Sequence, residues 1–113
     1  MICHKSDNNS KELCISALKN NQVLILPTDT VYGFSALVDE SSETDARIRT
    51  IKGRSETKPF IQLIACPQDI KKYTNQEIPD NLLKFWPGPL TMIVKKSNLV
   101  PYETTGGLDT VAV

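Results

Sequence analysis

A chain of 113 residues with 40% apolar and 23% charged side chains has the make-up of one globular domain at most. That excludes fibrous and disordered classes and allows about two-thirds of the unfolded surface to be buried. Thirteen Lys and Arg against thirteen Asp and Glu set up no global field for nucleic acid or a membrane surface, so any basic function must come from a local cluster.

The cysteines, Cys3, Cys14 and Cys66, are odd in number and lack C-x-x-C spacing. They predict neither a disulfide framework nor a zinc site, but reduced intracellular thiols. Residues 1–9 contain no apolar h-region and no later run reaches the length of a membrane span, so a cytoplasmic protein without a membrane partner is expected. Cys3 and His4 would be two ligands on an untethered terminus, so no metal site is assigned. The expected organisation is an N-terminal tail over residues 1–9 and one domain over residues 10–113.

Asn8, Asn9 and Ser10 offer N-cap side chains. Leu13, Cys14, Ala17 and Leu18 then recur at helical spacing until Lys19, Asn20 and Asn21 supply a stop, which predicts a first amphipathic helix. Leu24, Ile25 and Leu26 form the short apolar run of a fully buried strand, and Pro27 removes a ladder donor where it should end. Residues 34–38 alternate loosely, as a second strand or an extended loop. Ser41 and Ser42 with Glu43 and Asp45 predict a second helix over residues 42–52, with Ala46, Ile48 and Ile51 inward and Gly53 ending it. Residues 60–65 read as a strand, a short helix starts at Pro67, and another runs over residues 79–85 until Pro87-Gly88-Pro89 breaks it. Residues 90–94 form a further strand, residues 98–109 a polar loop, and residues 110–113 one more strand. Because the last four residues have strand character and no polar tail, the sequence reads as part of a longer domain.

Three stretches carry candidate chemistry. Thr28, Asp29, Thr30 and Tyr32 crowd hydroxyls and a carboxylate just beyond a strand end, before Gly33. Open α/β sheets place small polar ligands there, yet an ordinary turn bonding its own backbone has the same composition. Arg47, Arg49, Lys52, Arg54 and Lys58 form the one basic patch, with Glu56 its only acid. Lys52-Gly53-Arg54 at a helix end suits a phosphate, Lys as a point charge and Arg as a fork, but Lys followed by Gly is also how helices end. Trp86 reads as an aromatic core anchor before a rigid Pro-Gly-Pro turn, and Thr104-Thr105-Gly106-Gly107 as a loop. With His4 the only histidine, a Ser-His-Asp set is excluded.

Taken in order, Pro27-Thr28-Asp29-Thr30-Val31-Tyr32-Gly33, then Lys52-Gly53-Arg54 with Lys58-Pro59, then Trp86-Pro87-Gly88-Pro89-Leu90-Thr91, then Thr110-Val111-Ala112-Val113 resemble the YrdC-like threonylcarbamoyl-AMP synthase family. The resemblance covers nearly everything from residue 20 onward. It implies an α/β fold, a YrdC-like twisted open mixed sheet with flanking helices, here incomplete at the C-terminus. It also implies a nucleotidyltransferase that makes threonylcarbamoyl-AMP and pyrophosphate from L-threonine, bicarbonate and ATP. The product then goes to tRNA-modification proteins acting on the adenosine next to the tRNA anticodon, and RNA binding is associated with such proteins.

Carried over by motif, Thr28, Tyr32 and Ile61 would line the threonine site. Lys52 and Arg54 would sit catalytically at the phosphates, and Glu56, Lys58 and Thr110 would complete the ATP site. Mg²⁺ would come with ATP, held by the phosphates rather than by a protein cage. The family continues with an arginine for threonine and a Ser-x-Asn motif for the nucleotide, both beyond Val113, so the 113 residues alone are expected to bind weakly or not at all. Phe34 stands where the family often has leucine. The alternatives are an RNA-binding module using the basic patch of residues 47–58, and a carbamoyl-adenylate-forming enzyme.

Overall fold

The computed structural model describes residues 1–38, 43–53 and 58–113 and divides into two compact units, Met1–Lys52 and Gly53–Val113.

The first unit begins with exposed turns in which Asp7 accepts from the His4 backbone N–H at 2.8 Å. Helix α1, Ser10–Lys19, follows. Leu13, Cys14, Ala17 and Leu18 are half-buried, the stripe that the helical spacing predicted, and Ser10 joins them at the first position. No cap side chain bonds its N-terminus; Asn9 occupies the N-cap position without such a bond. The stop is built as expected. Asn21 takes a left-handed φ of 54°, the Gln22 N–H reaches the Ala17 carbonyl at 3.0 Å and the Asn21 N–H reaches that of Leu18 at 3.0 Å. These are the paired bonds of a Schellman ending, which satisfies carbonyls the helix leaves open.

Strands β1, Leu24–Pro27, and β2, Tyr32–Ser35, form an antiparallel hairpin with Ile25 opposite Phe34 and Pro27 opposite Tyr32. Helix α1 lies against β1 on one hairpin face, and the other face stays open at Ile25 and Tyr32. The expectation of a fully buried strand is corrected accordingly: Leu24 and Leu26 are half-buried while Ile25 is 61% exposed. Helix α2, Thr44–Lys52, then runs to Gly53, whose φ of 57° ends it. The proposed Ser41 and Ser42 cap lies outside the described residues.

The inward face of α2 is Thr44, Ile48 and Arg49, whereas Ala46 and Ile51 are exposed. One cation ties the helix to the rest of the unit and another pairs within it. Arg47 donates to the Asn21 carbonyl at 3.3 Å, tying α2 to the turn after α1, and buried Arg49 lies 3.8 Å from Asp45 one turn earlier.

The second unit has its own core of Ile70, Met92, Val94, Val100, Val111 and Val113. Val111 is 1% exposed, and full burial of such a side chain is worth roughly 1.5–3 kcal/mol. Strands β3, Ile93–Lys95, and β4, Thr110–Ala112, pair antiparallel and send Val94 and Val111 into it. A 3₁₀ helix, Pro67–Lys72, and a short helix α3, Asp80–Leu83, border the core.

Two strand expectations shift here. Residues 60–65 form no strand, because the Phe60 N–H goes to the Thr104 carbonyl and the Gln62 N–H to that of Ala112. The segment therefore touches β4 only through a single parallel bridge, Ile61 with Ala112. The strand expected over residues 90–94 begins at Ile93, since Pro89 has no N–H and the Trp86 indole N–H takes the Leu90 carbonyl at 2.6 Å. Trp86 packs on the core, in line with the anchor reading. The α/β class stands, with antiparallel pairs and one parallel bridge giving the mixed pairing. Among the described residues no helix is long and apolar enough to cross a membrane.

Candidate active site

The hairpin turn is built by Thr28. Its N–H donates to the Val31 carbonyl at 3.2 Å. Its hydroxyl donates to the same carbonyl at 2.6 Å and accepts from the backbone of Thr30 at 3.3 Å and of Val31 at 3.2 Å. One donor and two lone pairs exhaust what a hydroxyl offers, so the turn reading holds for Thr28 whatever else the loop does.

Tyr32 opens β2 and is 73% exposed. Phe34, two residues on, shares its face because side chains alternate along a strand. Lys52 ends α2, is exposed, and places its ammonium 6.0 Å from the Phe34 ring centroid. The fold thus brings Tyr32 and Lys52 to one side of the hairpin. Phe34 is the residue that sequence reasoning missed as an active part of this arrangement. Its only signal was an aromatic ring in phase with Tyr32.

Arg54 and Glu56 lie outside the described residues. In the second unit Lys58 is exposed, Ile61 is 59% exposed beside Ala112, and half-buried Thr110 pairs with Lys95 across β3 and β4. Ile61, Thr110 and Lys95 share the sheet face opposite buried Val94 and Val111. Lys95 was not anticipated; only its register with Thr110 reveals it.

Of the basic patch, Arg47 and Arg49 are committed to the packing of α2, which weakens the case for a five-cation nucleic-acid surface. Among the described residues no group of three His, Cys, Asp or Glu side chains is placed to hold a metal. An open apolar depression of about 310 Å³ is lined by Leu82, Phe85, Pro89 and Leu90, none of them a substrate residue inferred from the sequence.

Away from these positions, Lys72 lies 2.7 Å from Asp69, and Cys66 donates its thiol to the same carboxylate. The Lys72 bond, with help from Cys66, holds the Asp69 carboxyl below its usual range, and Asp69 in turn raises Lys72. The stabilisation is present above the ordinary carboxylate value of about 3.9 and is lost as pH falls through the lower folded value of Asp69. Through Lys72 it is present below about 10.4 and lost as pH rises past its raised folded value. Both groups are exposed to solvent, so the effect on stability is small. Lys72→Met is expected to move the Asp69 titration, followed by carboxyl NMR, back toward about 3.9. An unmoved midpoint contradicts the assigned cause.

The chain is similar to known proteins over most of its length. The Sua5/YciO/YrdC family model, described as "Telomere recombination", matches residues 16–113. The threonylcarbamoyl-AMP synthase of Pyrococcus abyssi is 41% identical over 101 residues, covering 85% of this chain and 29% of that protein. The synthase of Bos taurus is 34% identical over 84 residues, covering 74% of this chain and 30% of that one. A crystal structure of P. abyssi Sua5 complexed with L-threonine superimposes with a TM-score of 0.78 at 36% identity, covering 88% of this chain and 30% of that one. The chain therefore spans about three-tenths of the length of these relatives. With nearly all of its length matched by the family model and supported by both the relatives and the solved structure, this chain belongs to the Sua5/YciO/YrdC family.

Proposed function

We propose that this chain serves the synthesis of threonylcarbamoyl-AMP from L-threonine, bicarbonate and ATP. The observation that carries the reading is the Lys52 ammonium set on the same hairpin side as Tyr32. One end of the site thereby has a phenol for a small polar substrate and the other a cation for phosphate. Relatives named as threonylcarbamoyl-AMP synthases and the threonine complex of P. abyssi Sua5 favour it over an RNA module or a carbamoyl enzyme.

In this reading the loop of Thr28 and the side chain of Tyr32 serve L-threonine in the first unit, and Ile61 is assigned to the same substrate by its motif position alone. Bicarbonate and the threonine amine condense to a carbamate with loss of water. A carbamate oxygen attacks the α-phosphorus of ATP, the bond to the bridging oxygen breaks, and pyrophosphate leaves with the electron pair. Lys52 and Arg54 neutralise the charge that grows on the departing phosphates, the largest service a protein renders in such transfers. Glu56, Lys58 and Thr110 are assigned to ATP by motif position alone, and Mg²⁺ enters with ATP as part of the substrate. The product passes to proteins that modify tRNA in the cytoplasm.

Thermal unfolding with each ligand tests the proposal, because a ligand that binds only the folded state raises the midpoint by mass action. At the millimolar ligand that weak binding by these 113 residues calls for, a small rise with L-threonine or with Mg²⁺ and ATP is expected, and no rise with D-threonine. Stabilisation by RNA alone, steeply dependent on salt and indifferent to ATP, would replace this reading with the RNA module.

A further inference from the structure

Lysine carries a flexible four-carbon stem and loses rotamer freedom when it must meet a ligand in one place. In this chain Lys52 does not leave α2 unsupported: its ammonium lies 6.0 Å from the ring centroid of Phe34, within reach of the ring's negative face. Phe34 is only 36% exposed, and its backbone is fixed in the ladder opposite Ile25. The backbone that carries the ring is thereby held in place. A ring face engages one side of an ammonium and leaves N–H donors on the other. An aliphatic side chain of similar size supplies no such attraction.

We propose that Phe34 is a positioning residue, holding the Lys52 ammonium over its ring on the hairpin face it shares with Tyr32, ready for the phosphates of a nucleotide. The inference rests on the assignment of Lys52 to the phosphate end given above. It makes the aromatic ring at this position part of how this chain presents its cation, rather than a neutral filling of the hairpin face.

The test uses the whole chain and its Phe34→Leu, Phe34→Tyr, Lys52→Ala and doubly substituted Phe34→Leu/Lys52→Ala variants, titrated with Mg²⁺ and ATP by NMR. The Lys52 ε-protons are expected upfield in the unsubstituted chain through the ring current, at ordinary positions in Phe34→Leu, and upfield again in Phe34→Tyr. An exposed cation–π contact corresponds to about a two- to fivefold effect on an equilibrium, so Phe34→Leu should weaken ATP binding by that factor and Phe34→Tyr should not. In the Lys52→Ala background the Phe34→Leu change should do nothing further. ATP binding by Phe34→Leu that equals or exceeds that of the unsubstituted chain would mean that the ring parks the cation instead of presenting it, and the proposal fails. Equal weakening with and without Lys52 would also overturn it, by showing a general effect on the hairpin. If the unsubstituted chain does not respond to ATP at all, the nucleotide reading falls and takes this proposal with it. That result is distinct from a chain that binds ATP but ignores the loss of the ring.

Discussion

Replacing Lys52 with alanine is expected to weaken ATP binding roughly ten- to a hundredfold while leaving the first unit folded. The factor follows from losing a hydrogen bond to a charged group, worth about 1.5–3 kcal/mol. The structural consequence is small because Lys52 is exposed at the last position of α2. Its favourable interaction with the helix dipole is worth about 0.3–1 kcal/mol and its contact with Phe34 a similar amount. Lys52→Arg should recover only part of the affinity, since a planar fork does not occupy the place of a compact ammonium. Nucleotide titration with the thermal midpoint as control decides the matter. Unchanged ATP affinity in a folded Lys52→Ala chain would remove Lys52 from the site.

The largest expected effect on stability lies in the second unit. A Cβ added to Gly88 would sit 2.4 Å from the Phe85 carbonyl oxygen and 3.6 Å from its carbon, and a backbone carbonyl cannot swing aside as a side chain can. Gly88→Ala must therefore displace the turn between α3 and β3. That turn carries Trp86, whose indole is bonded to Leu90 at 2.6 Å and packed on the core. Overpacking of this kind destabilises by about 2–3 kcal/mol, or a fall in midpoint of roughly 10–20 °C for a domain of this size. Gly53→Ala is the control. Among the described residues nothing lies within 4 Å of its Cβ position, and its φ of +57° resists the change, at about 1 kcal/mol. Thermal unfolding followed by the fluorescence of Trp86, the sole tryptophan, compares the two. A Gly88→Ala midpoint no lower than that of Gly53→Ala would contradict the steric account.

What could be read from the sequence was what local physics decides. The stripe of α1 and its stop at Asn20 and Asn21 are set within a few residues, and the helix formed where they placed it. The Trp86 anchor and the break after α3 follow from side-chain size and proline in the same way. Residues 60–65 have strand composition, yet whether a ladder forms depends on partners remote in sequence, and those partners accept only scattered N–H groups. The inward face of α2 was read correctly at Ile48 and misjudged at Ala46 and Ile51, where apolar character alone was expected to decide. Arg49, paired within the helix with Asp45, takes an inward place instead, and the bond of Arg47 to Asn21 ties the helix in that orientation.

The site shows the same division. Motif order marked Thr28, Tyr32 and Lys52, and composition alone could not separate site from turn at Thr28, whose hydroxyl proved to be spent on its own loop. No local rule connects Phe34 to a lysine at the end of a later helix, or Thr110 to Lys95. Those pairs exist only once the chain is folded.

The central claim is that L-threonine and ATP meet the hairpin side that carries Tyr32 and Lys52. An amide and side-chain NMR titration of the isotopically labelled chain, first with L-threonine and then with Mg²⁺ and ATP, tests it most directly. The account predicts that threonine shifts the resonances of residues 28–33 and that ATP shifts those of Lys52. Shifts confined to the apolar depression around Leu82, Phe85, Pro89 and Leu90, with residues 28–33 and Lys52 unmoved by ligand that demonstrably binds, would contradict it.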